Sequence, residues 1–294
     1  MFQGIYTALV TPFDKEGKIH FPSLEKLLFA QLSAGVDGFV FLGTTGEAAT
    51  LTLQERQEVL SFCCEKVRGK AKIIIGAGTN CTATTLELAR HAKTFRPDGI
   101  LIVTPYYNKP NPNGLVEHYR QVASVGLPIV MYHIPGRTGL KLPGNIIERI
   151  LKEVPQIKAI KESDYDMAHV TDTAVKYAGR LDYICGNDDL FPQYLAINAS
   201  GIISAAANIF APAFVKIYNL FNNGQTQASF ETFASIYPLI KACYLETNPT
   251  CVKYMLSRLG FCTGTVRLPL GEISSENKAK IDTLLSRVDS TLRI

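Results

Sequence analysis

The sequence lacks the features that mark membrane proteins, nucleotide-binding proteins and metal-dependent proteases. None of its 294 residues lies in an uninterrupted apolar run near the ~18 residues of a membrane-spanning helix. The motifs HExxH, GxGxxG and GxxxxGK followed by Ser or Thr are missing, and the lysines and arginines are scattered. We therefore expect no metal, no nucleotide cofactor, no membrane association and no nucleic-acid partner.

A disulfide framework is also missing. The seven cysteines, an odd number, show no CxxC or metal-finger spacing, and Cys63 and Cys64 are adjacent on a predicted helix. Thiols kept reduced in a cytosol are the ordinary state of such a set. The N-terminal stretch MFQGIYTALVTPF has no basic region and is typical of a first strand rather than a signal peptide. We expect a cytoplasmic protein.

The composition is that of a globular domain with a large core. Hydrophobic residues make up 47% of the chain and charged residues 19%, which leaves no signature of disorder. The net charge of +4 suits small anionic substrates.

Eight short apolar runs recur at intervals of a few tens of residues, at 5–10, 38–43, 72–78, 99–105, 128–135, 157–163, 181–186 and 201–207. Near-continuous apolar runs are typical of parallel strands that are covered on both sides. Helical patterns lie between them, including 21–35, 51–69, 82–95 and 143–154. Thr52 and Glu55 have the spacing of a capping box at the start of the second helix.

This alternation predicts a (β/α)8 barrel, the TIM barrel. Beyond about residue 210 the pattern is helical only. We expect a catalytic barrel over residues 1–222 and a helical C-terminal extension over residues 223–294, packed on the barrel. A doubly wound open sheet is the alternative, but eight regular units followed by helices suit closure better.

Lys161 is the most informative residue at a predicted strand end, where barrels of this kind carry their active sites. Side-chain alternation places it on the same face as Ala159, while Lys158 points the other way. Burial lowers the pKa of a lysine, and a neutral amine can attack a ketone to form a Schiff base. Alternatively, the ammonium of Lys161 reaches solvent or pairs with Glu162 or Asp164.

Other predicted strands also end in polar residues. The turn GTTGE at 43–47 suits a small carboxylate, although Thr44 and Glu47 also have the spacing of a capping box. The segments TPYYN (104–108) and MYHIPGRTG (131–139) each supply a tyrosine, which relays protons or simply packs. Arg137 takes a carboxylate or lies solvated in its loop, and His133 is a base or, more commonly, structural.

The motifs GTTGE, TPYYNKP, YHIPGRTG, IKES and RLPL occur in this order up to about residue 271. They resemble those of the dihydrodipicolinate (4-hydroxy-tetrahydrodipicolinate) synthase family, which belongs to the pyruvate-dependent class I aldolases together with N-acetylneuraminate lyase. The resemblance implies condensation of pyruvate with L-aspartate 4-semialdehyde in lysine and diaminopimelate biosynthesis. It implies a covalent Schiff base with pyruvate and no separate cofactor.

The same resemblance implies catalytic roles. Lys161 would form the Schiff base, and Tyr132 would relay protons together with Thr44. Tyr107 would complete the relay from a neighbouring subunit, because the family is commonly a homotetramer built as a dimer of dimers.

It also implies the residues that bind substrate. Thr45 would bind the carboxylate of pyruvate, and Arg137 would receive the carboxylate of L-aspartate 4-semialdehyde. Gly186 and Ile203 would line the pocket through their backbones.

Two departures from the family pattern concern the choice of substrate. His133 stands where the family most often has Asn, and Asn187 lies in a variable loop. The alternatives are an aldolase that releases pyruvate from a keto-deoxy sugar acid, against which Arg137 argues, and a non-catalytic barrel that binds pyruvate. The second would not need the lysine and both tyrosines together.

A regulatory pocket for L-lysine is only partly present. Asn80 and Tyr106 match the pocket of the regulated members. Leu53, Arg56 and Thr84 replace the two His and the Glu of strongly regulated members. We therefore predict that L-lysine inhibits weakly or not at all.

Overall fold

A computed structural model describes all residues from 1 to 294. Eight parallel strands form a closed barrel in which each strand neighbours the next in sequence order. The strands are β1 (Gly4–Ala8), β2 (Gly38–Phe41), β3 (Lys72–Gly76), β4 (Gly99–Val103), β5 (Ile129–His133), β6 (Ile157–Glu162), β7 (Asp182–Cys185) and β8 (Gly201–Ser204). The predicted (β/α)8 barrel is confirmed, and the alternative of an open doubly wound sheet is wrong.

Helices connect the strands and continue after β8. They are α1 (Phe21–Ser33), α2 (Leu53–Val67), α3 (Thr82–Thr94), α4 (Pro112–Ala123), α5 (Pro135–Thr138), α6 (Gly144–Glu153), α7 (Met167–Tyr177), α8 (Phe191–Ala196), α9 (Ala207–Asn222), α10 (Thr226–Ala242), α11 (Thr250–Arg258) and α12 (Ser275–Leu285). The predicted capping box at the start of α2 is present, with reciprocal bonds between Thr52 and Glu55. Each of the seven cysteines is a free thiol.

The chain divides into two compact units. The first comprises residues 1–3 and 73–202, and the second comprises residues 4–72 and 203–294. Helices follow the last strand as expected, while the predicted division at residues 222 and 223 stays a prediction.

In the first unit, strand register places the polar residues of neighbouring strands side by side. Tyr132 of β5 is paired with Lys161 of β6, and His133 is paired with Glu162. Lys158 is the exposed residue of β6, whereas the rest of that strand is buried. Successive side chains of a strand point to opposite faces, so these two pairs lie on opposite faces of the sheet.

In the second unit, buried amides fasten helix α9 to strand β1. The Asn208 side chain donates to the Ala8 carbonyl at 2.7 Å and accepts from the Val10 N–H at 3.1 Å. Gln31 of α1 accepts a bond from Thr7 at 2.6 Å and donates to the Ala207 carbonyl. These groups satisfy one another's hydrogen-bonding capacity away from water.

Candidate active site

Lys161 lies at the carboxyl end of β6 and is only 7% exposed. Its Nζ atom is 4.2 Å from the centroid of the Tyr132 ring. No ion pair involves this lysine, because Glu162 contacts His133 and Asp164 contacts Lys141 instead. The alternative interpretation, in which Lys161 pairs with a neighbouring carboxylate, is therefore not what the structure shows. A buried amine without a carboxylate partner is available for chemistry.

Gly186 lies directly against Lys161. A Cβ atom at this position would be 2.1 Å from the Ser163 hydroxyl and 3.1 Å from Cε of Lys161. The N–H of Gly186 donates to the Glu162 carbonyl at 2.7 Å, which holds the backbone close to β6. Only a residue without a side chain fits here, and the lysine amine keeps its space.

A buried His–Glu pair lies on the face of the sheet opposite to Lys161. Nδ1 of His133 is 2.8 and 2.9 Å from the two carboxylate oxygens of Glu162, and both side chains are fully buried. Nε2 of His133 accepts the Leu142 N–H at 3.1 Å, so the ring proton is on Nδ1 and is donated to Glu162. Glu162 also accepts from the Asp164 N–H at 2.8 Å and from the Tyr183 hydroxyl at 3.4 Å. His133 is thus structural rather than a base.

The same pair lies near a third potential metal ligand. The ligand atoms of His133, Glu162 and His169 lie within 4.8 Å of one another. Both ring nitrogens of His133 already hold hydrogen bonds, whereas Nε2 of His169 is buried without a partner. The expectation of no metal stays a prediction.

Tyr107 lies in a loop of the first unit, and Arg137 lies on the short helix α5 of the same unit. Tyr107 is 90% exposed and has a φ of 70°, a left-handed conformation that is uncommon for a bulky residue. Arg137 is exposed on the one-turn helix α5. No hydrogen bond or ring contact joins either residue to Lys161 or Tyr132. The structure thus brings Lys161, Tyr132 and Gly186 together and leaves these two at the surface.

Asn187 is buried in the loop after β7, and its side-chain amide donates to the Asp164 carbonyl at 3.2 Å. This bond fixes the loop to the end of β6.

In the second unit, the GTTGE turn carries Thr44 and Thr45. Thr44 is exposed, whereas Thr45 is 4% exposed and its Oγ1 accepts a bond from the Asn248 side-chain amide at 2.9 Å. The alternative capping-box interpretation of this turn is wrong, because the Glu47 carboxylate pairs with Lys253 and accepts the Arg267 N–H instead. Ile203 is buried in β8 of the same unit, with 1% of its surface exposed.

The sequence interpretation missed Asn248 and Lys253. Both lie in the stretch NPTCVK, whose pattern predicts only that it belongs to the C-terminal helices. The helical pattern of the sequence does not distinguish Lys253 from an ordinary surface lysine. The structure shows that Lys253 has no exposed surface, which is rare for a lysine.

A closed parallel barrel with a buried lysine amine at the carboxyl end of a strand has the architecture of the TIM-barrel enzymes, whose active sites lie at that end. Comparison with known proteins defines the class further. The model of the dihydrodipicolinate synthetase family matches residues 1–288, and the chain belongs to this family. The predicted resemblance and the predicted lyase-type enzyme class are therefore confirmed.

Individual relatives match over nearly their full lengths. The 4-hydroxy-tetrahydrodipicolinate synthase of Brachyspira hyodysenteriae is 36% identical over 288 residues, covering 98% of each chain. That of Thermosipho africanus is 40% identical over 286 residues, covering 96% of this chain and 97% of the relative. The crystal structure of dihydrodipicolinate synthase from Thermotoga maritima has a TM-score of 0.94 at 36% identity, covering 97% of this chain and 98% of that one.

None of the twelve helices combines the length and the apolar content that are needed to cross a membrane.

Proposed function

We propose that this chain condenses pyruvate with L-aspartate 4-semialdehyde to give 4-hydroxy-tetrahydrodipicolinate, a step of lysine and diaminopimelate biosynthesis. Relatives with this name share more than a third of its residues over nearly the whole chain. The observation that carries the proposal is the buried Lys161 amine, which has no ion-pair partner and lies against the Tyr132 ring.

The chemistry begins at Lys161. The amine, in its unprotonated form, attacks the ketone carbon of pyruvate, and water leaves to give a protonated imine. The imine withdraws electrons, so a methyl proton leaves and an enamine forms. The enamine carbon attacks the aldehyde carbon of the semialdehyde, which forms the new carbon–carbon bond. The amine of this adduct then displaces Lys161 and closes the ring.

Proton transfers accompany every one of these steps. We assign them to Tyr132, whose ring packs against Lys161, and to Thr44. Because the substrate itself forms the covalent intermediate, the reaction needs no separate cofactor.

Four residues bind the substrates in this proposal. Thr45 donates to the carboxylate of pyruvate, and Arg137 receives the carboxylate of the semialdehyde. Gly186 and Ile203 line the pocket through their backbones. The close approach of Gly186 to Cε of Lys161 supports its place in this set.

Tyr107 supports an oligomer whose subunits complete one another's sites. A tyrosine that is 90% exposed in one chain presents a large apolar ring to a partner. We propose that it enters the site of a neighbouring subunit in a homotetramer, a dimer of dimers. We also propose a cytoplasmic location, which the seven free thiols support.

The proposal is tested by incubating the purified protein with pyruvate, with and without L-aspartate 4-semialdehyde, and measuring the pyruvate that remains. Loss of pyruvate that depends on the semialdehyde is the expected result. Release of pyruvate from keto-deoxy sugar acids, without such loss, would replace the proposal by the aldolase alternative. Pyruvate binding without turnover of either kind would replace it by the non-catalytic barrel.

A further inference from the structure

The hydroxyl of Thr45 is held by one side chain from the C-terminal part of the chain. The Nδ2 amide of Asn248 donates to Oγ1 of Thr45 at 2.9 Å. Both residues are buried, with 8% and 4% of their surfaces exposed. Oδ1 of Asn248 is buried without a partner, so the bond to Thr45 is the only hydrogen bond of the Asn248 side chain. Asn248 is therefore oriented toward Thr45 and toward no other protein group.

The direction of this hydrogen bond determines what the Thr45 hydroxyl can do. A threonine hydroxyl carries one hydrogen and accepts through its lone pairs. Because Thr45 accepts from Asn248, its own hydrogen points elsewhere, and no protein group accepts it. The hydroxyl is thus presented as a donor, and a carboxylate is the acceptor that forms the strongest bond with it.

A buried ion pair holds Asn248 in place. Lys253 lies on α11, the helix that begins two residues after Asn248, and it has no exposed surface. Its ammonium pairs with Glu47, donates to the Thr265 carbonyl at 2.9 Å, and lies 3.9 Å from the centroid of the Phe13 ring. Since Glu47 follows Thr45 by two residues, the ion pair fixes both sides of the Asn248–Thr45 bond.

A second set of contacts, between Glu47 and Arg267, fixes the C-terminal end of the GTTGE turn. Glu47 has a φ of 52°, and its carboxylate accepts the Arg267 N–H at 3.0 Å. The Arg267 guanidinium pairs with Glu55 and donates to the Gly17 and Thr50 carbonyls at 2.7 and 2.9 Å. These contacts hold the backbone on the C-terminal side of Thr45 in place, and the Asn248 amide determines the direction of the Thr45 hydroxyl.

We propose that Asn248 is a positioning residue that orients the Thr45 hydroxyl as a donor to the carboxylate of the α-keto acid substrate. The turn between α10 and α11 thereby contributes to the affinity for pyruvate. This inference rests on the proposed function, because it takes Thr45 as the residue that binds pyruvate.

Two variants of Asn248 separate orientation from packing. Asn248→Ala removes the amide and lets the Thr45 hydroxyl rotate. Asn248→Asp keeps the shape but supplies only an acceptor, which draws the Thr45 hydrogen away from substrate and places a negative charge near its carboxylate. If the bond only stabilised the fold, Asn248→Ala and Asn248→Asp would not differ in their affinity for pyruvate.

The readout is the pyruvate concentration that gives half-maximal borohydride labelling of the protein, together with KM and kcat for both substrates. We expect Asn248→Ala to raise the half-saturating pyruvate concentration and the KM for pyruvate about 3- to 10-fold, the range that one hydrogen bond gives. Asn248→Asp should raise both further, while KM for the semialdehyde and kcat stay within about twofold. Thr45→Val should raise KM for pyruvate, and adding Asn248→Ala to it should have no further effect.

The outcomes distinguish this inference from the proposed function. If pyruvate does not label the wild-type protein, the proposed function fails. If the wild type is labelled and Asn248→Asp binds pyruvate as the wild type does, Asn248 does not orient Thr45 and the inference is wrong. A fall in kcat with KM unchanged, at an unchanged melting temperature, would overturn it equally.

Discussion

Lys161 and Tyr132 occupy paired positions on neighbouring strands, and the lysine Nζ lies 4.2 Å from the centroid of the tyrosine ring. The tyrosine is 6% exposed and the lysine 7%. Their proximity follows from the strand register rather than from loop conformation, so the pairing of β5 with β6 holds the two residues next to each other. Both groups face the same side of the sheet, where a ketone bound to the lysine would also lie.

Replacing Tyr132 by Phe tests whether its hydroxyl moves protons. The ring and its packing against Lys161 remain, and only the hydroxyl is removed. We expect kcat to fall about 10²- to 10⁴-fold, as for loss of a general acid–base group. Tyr119→Phe is the matched control, because Tyr119 is a buried tyrosine whose hydroxyl bonds only to the Ile102 carbonyl. A Tyr132→Phe enzyme within twofold of wild type would remove this residue from the relay.

Replacing His133 tests whether it serves the fold through Glu162. His133→Ala leaves the buried Glu162 carboxylate without one of its donors, which costs about 1–3 kcal/mol of unfolding free energy. Asn is the residue that the family most often has at this position, and its side chain retains a donor. His133→Asn should therefore lower the free energy of unfolding less than His133→Ala does. Urea unfolding of the three proteins at neutral pH measures both differences. Equal stability of the alanine variant and the wild type would contradict the structural role.

The strands and the importance of Lys161 could be predicted from the sequence for the same reason. Buried parallel strands leave continuous apolar runs, and a charged residue at the end of such a run is conspicuous. The pairing of His133 with Glu162 was not predictable, because it depends on the register between two strands. Lys253 was missed because its partner Glu47 comes from a distant turn, and a helical pattern does not indicate which polar position is buried.

His118 gives the fold a pH dependence of known sign. Burial lowers the pKa of this histidine on α4 from 6.5 to about 4. The unfolded chain therefore binds more protons between these values, so the stabilisation is complete above pH 6.5 and is lost as the pH falls to 4. The loss is on the order of 3 kcal/mol.

Urea unfolding at pH 7.5 and pH 4.5 measures this effect in the wild type and in His118→Gln. We expect the wild type to lose about 2–3 kcal/mol more than the variant between the two pH values. The same loss in both proteins would show that His118 does not contribute.

Three residues that the resemblance places in a regulatory pocket bear on inhibition by L-lysine. Leu53 is 64% exposed, Thr84 is exposed, and Arg56 donates to the Ala48 carbonyl at 2.7 Å. None of them supplies a carboxylate for the ammonium of a ligand. We expect initial rates to be unaffected by micromolar L-lysine, and Thr84→Glu to increase sensitivity. Half-inhibition of the wild type at micromolar concentration would refute this prediction.

The central claim is that Lys161 forms the Schiff base, and reductive trapping tests it most directly. The protein is incubated with pyruvate and borohydride, digested, and analysed by mass spectrometry. Lys158, exposed on the same strand, is the internal control. The account predicts a stable pyruvate-derived mass on Lys161 and none on Lys158. An adduct on another peptide, or none on Lys161 while the protein consumes pyruvate, would contradict it.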